Sequence, residues 1–164
     1  MREFLSLVSK PVRYLGQEIN STRKGSAEVR LRFCLAFPDV YEVGMSHLGI
    51  QILYHILNGK EGIACERAFA PWVDMEKVLR EKGIPLSSLE SSTPLDQFDI
   101  LGFSLQYELC FTNVLNMLDL CRIPLFSKER EGRFPLIIAG GPSTFNPEPI
   151  ADFFDAIVIG DGEE

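Results

Sequence analysis

Pro135-Leu-Ile-Ile-Ala-Gly-Gly-Pro142 is an apolar run that ends in a tip of small residues. Two other segments share its design: Asp99-Ile-Leu-Gly-Phe-Ser104 and Asp155-Ala-Ile-Val-Ile-Gly-Asp-Gly162. A short apolar run bounded by turn residues reads as a strand buried on both faces, as in a parallel sheet. Its carboxyl end then opens into a tight loop. In open α/β sheets ligands bind along that edge.

Outward from these runs, strands and helices alternate. Val29–Phe37 reads as a strand entering the middle of a sheet. Pro38-Asp39 ends it, and Val40–Ser46 reads as a loop. Met45, Leu48, Gly49, Ile52, Leu53, Ile56 and Leu57 then recur at helical spacing, which predicts a helix with one apolar face, stopped at Asn58-Gly59. Ile63–Ala70 is a second strand closed by Pro71. Trp72, Met75, Val78 and Leu79 mark a second helix capped by Gly83, and Pro85–Glu90 reads as a short extra strand. After the third strand, Phe98–Phe103, the spacing from Tyr107 to Cys121 predicts a third helix. Leu136–Ala139 is the fourth strand. Asn146-Pro147 predicts an N-cap with proline at the first helical position, opening a short helix to about Phe153. Ala156–Ile159 is the fifth strand. Short connections and strict alternation imply a parallel sheet covered on both faces. The expected fold is α/β: a flavodoxin-like (Rossmann-like), doubly wound sheet of five parallel strands in the order 2-1-3-4-5.

At 164 residues the chain is one domain with an arm, residues 1–29 forming the arm and 30–164 the body. In the arm, Phe4, Leu5 and Val8 predict a short amphipathic helix ended by Pro11. Asn20–Ser26 reads as loop, and the arm packs on its own body or on a neighbour. The net charge of −7 argues against nucleic acid or an anionic membrane as partner, since phosphate binding needs a cationic field. Cys34, Cys65, Cys110 and Cys121 form no CxxC cluster, so free buried thiols in a cytoplasmic protein are expected. Neither a signal peptide nor a membrane span is legible. Nor is there a GxGxxG after the first strand, a P-loop, a GxSxG or an HExxH.

Four loops gather at the expected ligand edge: Pro38–Ser46, Ser104–Tyr107, Gly140–Asn146 and Gly160–Glu164. Gly140-Gly141, followed by Pro142, lets a ligand approach the backbone closely; a plain tight turn is the competing reading. Ser104 offers a hydroxyl to a ligand or an N-cap to the next helix, with Leu105 and Gln106 following it. His47 stands near the edge as a proton donor, metal ligand or ordinary helix-start residue. Asp39, Tyr41, Glu42 and Gly44 lie in the first loop. Glu108 suits a helix start, Trp72 a core or groove rim, and His55 a structural role.

Taken together, FDILGFSLQYE, IIAGGPSTFNPEP and FFDAIVIGDGEE resemble the cobalamin-binding-type N-terminal domain of radical SAM enzymes. KPVRYLGQE (10–18), FPDVYEVGMSHLG (37–49) and RAFAPWVDME (67–76) resemble an uncharacterised subgroup that carries this domain at its N-terminus. The resemblance implies a cobalamin whose nucleotide tail lies between sheet and helices. Ser104 and Gly140-Gly141 would line the tail channel, and the Asp39–Gly49 loop would face the corrin. It implies S-adenosylmethionine and a [4Fe–4S] cluster in a C-terminal radical SAM domain of the parent protein. The CxxxCxxC for that cluster is expected beyond Glu164, and Gly160–Glu164 would be the hinge.

Two departures qualify the likeness. Cobalamin enzymes that ligate cobalt through histidine use Asp-x-His-x-x-Gly, whereas Met45 precedes His47 by two and Gly49 follows it by two. The usual Ser-x-Leu is shortened to Ser104-Leu105. The reading is therefore an accessory domain that holds cobalamin without a protein histidine. The alternative is a degenerate scaffold that binds no cobalamin and recruits substrate or contacts another domain. Valine at both Gly140 and Gly141 is expected to abolish cobalamin uptake without unfolding.

Overall fold

The computed structural model describes residues 2–130, 132, 135–160 and 162. Asp161, Glu163 and Glu164, assigned above to a hinge, lie outside the described residues. Strands β1 (Leu31–Phe37), β2 (Ile63–Phe69), β3 (Ile100–Ser104), β4 (Leu136–Gly140) and β5 (Ala156–Ile157) form one sheet. Every strand pairing is parallel and the order is β2-β1-β3-β4-β5, as expected for a flavodoxin-like fold.

The pleat sends alternate residues to opposite faces. Cys34 and Ala36 of β1, Leu101 and Phe103 of β3, and Ile137 and Ala139 of β4 enter the larger core. There they meet α3 (Val73–Lys82) through Met75, Val78 and Leu79, and α4 (Phe111–Leu120) through Val114, Met117 and Leu118. The short 3₁₀ helix Glu148–Phe153 adds Ile150 to the same face. On the other face Leu35, Phe37, Cys65 and Phe69 pack under α2 (Leu48–Gly59) through Ile50 and Tyr54. That second layer lies over β1 and β2. It leaves the same face of β3, β4 and β5 open, so the expected helical cover on both faces holds only over β1 and β2.

Several local expectations are corrected. Val40–Ser46 is not a loop: Tyr41–Ser46 forms a short helix, α1, and His47 breaks it from α2 with extended backbone (φ −81°, ψ 114°). Gly44 makes α1 fit, because a Cβ there would stand 2.2 Å from the Phe69 ring. Pro85–Glu90 is not a strand. A single antiparallel bridge, Ser87 to Pro94, is made there, while the Glu90 carboxylate turns inward to Arg67. Asn146 does not cap the last helix; its N–H closes the preceding turn onto Ser143, and the helix begins at Glu148. β5 stops at Ile157, short of Ile159, although the Val158 N–H still donates to the Ala139 carbonyl.

The arm packs on its own body. Arg2–Leu7 is a 3₁₀ helix, and Pro11 opens a second one, Pro11–Tyr14, instead of only ending the first. Val8 and Tyr14 reach the larger core, and Ser9 donates to Asp74 through both N–H (2.8 Å) and hydroxyl (2.6 Å). No helix among the described residues is long and apolar enough to cross a membrane.

Candidate functional site

The open half of the α2 face is a groove of about 450 Å³. That lies within the size range of small-molecule sites, roughly 300–1,000 Å³. Gly102, Ile138 and Gly140 form its floor; Leu53, Ile56 and Leu57 of α2 form a wall. At the carboxyl edge it opens between His47, Ser104, Gln106, Pro142 and Phe145.

The apolar stripe of α2 has a different use from the one its spacing suggested. The helix buries Ile50 and Tyr54 in the core. Leu53, Ile56 and Leu57 line the groove, and Leu48 stays exposed. The single stripe read from spacing is therefore not the face that seats the helix; Ile50 and Tyr54, apolar but outside the stripe, were the signal of a second face.

The two adjacent glycines divide the two readings weighed for them. A Cβ on Gly140 would meet nothing nearer than Val158 at 3.9 Å, so its missing side chain is open groove. Gly141 has φ +107°, and a Cβ there would stand 2.6 Å from the Leu105 carbonyl oxygen. It is required by the turn, in which Leu105 N–H donates to Gly140 (2.7 Å) and Ser143 N–H to Leu105 (3.1 Å). Valine at Gly141 therefore strains the backbone, and the double substitution is not the clean test expected from sequence. Gly102 was not singled out. Its Cβ would lie 2.6 Å from the Phe33 ring, so glycine allows that ring to lean across β3.

Ser104 caps no helix. Its buried hydroxyl accepts from Gln106 Nε2 at 2.8 Å, and its own proton can still be donated. Leu105 is fully buried and contributes through its backbone.

His47 is the N-cap of α2. Its Nδ1 accepts from the Ile50 N–H at 3.4 Å, and the ring lies 5.3 Å from that of Phe37. An accepting Nδ1 carries no proton, so the neutral ring holds its proton on Nε2. In this state neither nitrogen has a free lone pair for a metal. The side chain offers the groove a donor.

The remaining candidates of the first loop are committed elsewhere. Asp39 accepts from the Tyr107 hydroxyl at 2.6 Å, which pushes that phenol up to about 12. This bond ties the loops after β1 and β3, the neighbouring strands from which the chain turns to opposite faces. Glu42 pairs with Arg13 at 2.9 Å and Lys10 at 3.4 Å; the Arg13 bond holds its carboxyl below the usual range. Tyr41 donates to Glu18 at 2.9 Å, and its phenol is pushed up to about 12, first by burial and then by that bond. Gly44 is buried beneath Phe69. None of Asp39, Tyr41, Glu42, Gly44 or Leu105 lines the groove.

Arg67 was also missed as a residue of interest. It is fully buried, bonds Glu90 through Nε (2.7 Å), and lies over the Tyr54 ring at 4.2 Å. Glu18 of the arm stands 4.0 Å away and Gln51 of α2 accepts at 3.3 Å. One guanidinium thus links β2, the arm, α2 and the 84–95 segment. Burial pushes the Glu90 carboxyl up despite Arg67. Nothing in the local pattern CERAF distinguishes this arginine from a solvated one; its partners lie far away in sequence.

The four cysteines are free and buried, and burial pushes the thiols of Cys34, Cys65, Cys110 and Cys121 up. Among the described residues no group of three or more His, Cys, Asp or Glu side chains is placed to hold a metal ion.

Residues 49–164, from the first turn of α2 through β5, match the family model described as "Radical SAM proteins, N-terminal". No curated protein matches the chain. The matched stretch covers most of the sequence and contains the groove wall, its floor and all of β2 to β5, so the chain belongs to the family of N-terminal domains of radical SAM proteins.

Proposed function

We propose that this chain is the cofactor-binding accessory domain of a cobalamin-type radical SAM enzyme, and that its groove takes the nucleotide tail of cobalamin. The observation that carries the reading is the groove itself: about 450 Å³, apolar, and open at the carboxyl edge of a parallel sheet. Gly140 leaves part of its floor open, and Gly102 lets the Phe33 ring lie across the rest. Ser104, Gln106 and the backbone around Pro142 supply polar groups at the mouth. His47 fits as a hydrogen-bond donor and does not fit as a cobalt ligand, so no protein imidazole would reach the metal.

Cobalamin, when bound, would supply a cobalt able to carry a methyl group. This chain's part is to hold the tail, exclude water with Leu53, Ile56 and Ile138, and orient the group toward a linked domain. S-adenosylmethionine and a [4Fe–4S] cluster would belong to that domain. Four free buried thiols support a reducing, cytoplasmic setting.

Titration with hydroxocobalamin tests the reading. The 164-residue chain and the full radical SAM protein should both show a shifted absorbance spectrum. Gly140→Val should abolish the shift while leaving the unfolding temperature within a few degrees. No shift in either protein at high micromolar cofactor overturns the cobalamin assignment. The capped His47 would then favour the second reading, a scaffold that binds no cobalamin and recruits substrate or contacts another domain.

A further inference from the structure

After each of the five strands, the connection or first helical turn at the carboxyl edge leaves a large apolar side chain in water. Leu48 follows β1, Val73 follows β2, Leu109 follows β3, Phe145 follows β4 and Ile159 follows β5. Their exposure runs from 58% at Ile159 to 85% at Leu109. Near the amino ends of the strands Leu136 and Phe126 are exposed at 48% and 38%, and in the arm Leu7, Val12 and Ile19 are exposed at 57%, 60% and 106%. An isolated exposed leucine is ordinary; a series drawn from every loop of one edge marks an interaction surface. Three acids near this edge are turned to partners inside the chain, while Glu108, beside Leu109, stays exposed. Asp39 holds Tyr107, Glu42 pairs with Arg13, and Asp74 accepts from Ser9. The chain is acidic overall, yet it presents greasy tips here.

We propose that this edge is the docking face for the radical SAM domain that family membership links to the chain, with Leu48, Leu109 and Phe145 as anchors. The proposal rests on the accessory-domain reading and not on the identity of the cofactor. The chain path favours a linked domain over a separate protein. β5 delivers Val158 to Gly160 onto this same edge, so a tethered domain meets these side chains at an effective concentration on the order of mM. Interfaces between domains of one chain cover roughly 600–1,500 Å², an area that tips from five loops can span.

The four thiols of this chain are buried, and the unsubstituted full protein gives the background from cysteines of the linked domain, so the rate at the peptide carrying a single introduced cysteine reports the accessibility of that position. Leu48→Cys, Leu109→Cys and Glu81→Cys are each made in this chain and in the full radical SAM protein, and reacted with a maleimide without cobalamin. Glu81 lies near the end of α3 at the opposite edge, with its side chain 59% exposed. The thiols introduced at 48 and 109 should react at least ~tenfold more slowly in the full protein, as protected groups do, while that at 81 reacts equally in both. Equal rates at all three positions in the two proteins overturn the proposal. So does protection in this chain alone that grows with its concentration, because the occupant is then a second copy. Protection without hydroxocobalamin uptake keeps the docking face and removes the cofactor. Uptake without protection does the reverse.

Discussion

His47→Asn and His47→Ala separate a capping histidine from a metal ligand. The imidazole does two things: Nδ1 accepts the Ile50 N–H, and the ring packs on Phe37. A capping side chain contributes ~1 kcal/mol, and a bond of 3.4 Å belongs at the low end, ~0.5–1 kcal/mol. The ring contact adds ~0.5–1.5 kcal/mol. Alanine loses both, ~1–2.5 kcal/mol, or about 2–10 °C for a chain of this length. Asparagine is among the best N-cap residues, so it keeps the cap and loses the ring, ~0.5–1.5 kcal/mol. Thermal unfolding should therefore rank wild type, His47→Asn, His47→Ala in falling order. Nitrogen-15 spectra of the imidazole should place its proton on Nε2. The hydroxocobalamin spectrum should be the same for His47→Asn as for wild type. A proton on Nδ1, or an asparagine variant less stable than the alanine variant, would refute the cap. Loss of the bound spectrum in His47→Asn would refute the claim that cobalt takes no protein imidazole.

Gly141→Val should cost several times more stability than Gly140→Val, ~2–4 kcal/mol against under ~1, because only the former forces φ +107° and a backbone collision; urea unfolding of the two variants decides it, and equal costs sink the division. Glu90→Gln leaves the buried Arg67 charge short of its carboxylate and should destabilise by ~3–5 kcal/mol, whereas a loss below ~1 kcal/mol would mean the pair is dispensable. Tyr41 and Tyr107 each titrate near about 12, the first chiefly through burial and the second chiefly through Asp39. A folded pKa above the unfolded value of about 10 adds stability that is complete below about 10 and is lost as pH rises through about 12. Phenolate absorbance of the folded chain should lag a denatured control across that window. Coincident curves would contradict it.

Strand number, strand direction and the carboxyl-edge tips were readable because short apolar runs ending in small residues alternate with helical spacing. Burial on both faces was not: the runs of β4 and β5 are apolar throughout, yet Leu136, Val158 and Ile159 are exposed and Ile138 faces the groove. The β2-β1-β3-β4-β5 order was an analogy with flavodoxin-like sheets, which alternation and crossover handedness do not fix by themselves, and the tertiary structure decided it. Boundaries were less legible. Gly44 reads as a helix breaker, yet the Phe69 ring above it requires a glycine inside α1. Pro85–Glu90 reads as a short extra strand, but Glu90 is drawn out of any ladder by a charge on β2.

Local spacing alone determined the class of the fold and the carboxyl edge at which its loops gather, since both depend on patterns within ten or so residues. The family-like motifs at Ser104 and Gly140-Gly141 added the expected occupant. What only the tertiary structure decided is who touches the groove. Side chains of α2 that read as core became its wall, because that helix sits over β1 and β2 and leaves β3 to β5 bare. Asp39, Tyr41 and Glu42, which read as ligand groups, were taken by Tyr107, Glu18 and Arg13. His47 was taken by the start of its own helix. Each of those choices depends on partners brought close by packing, and a polar group in a folded chain goes to the partner that packing supplies.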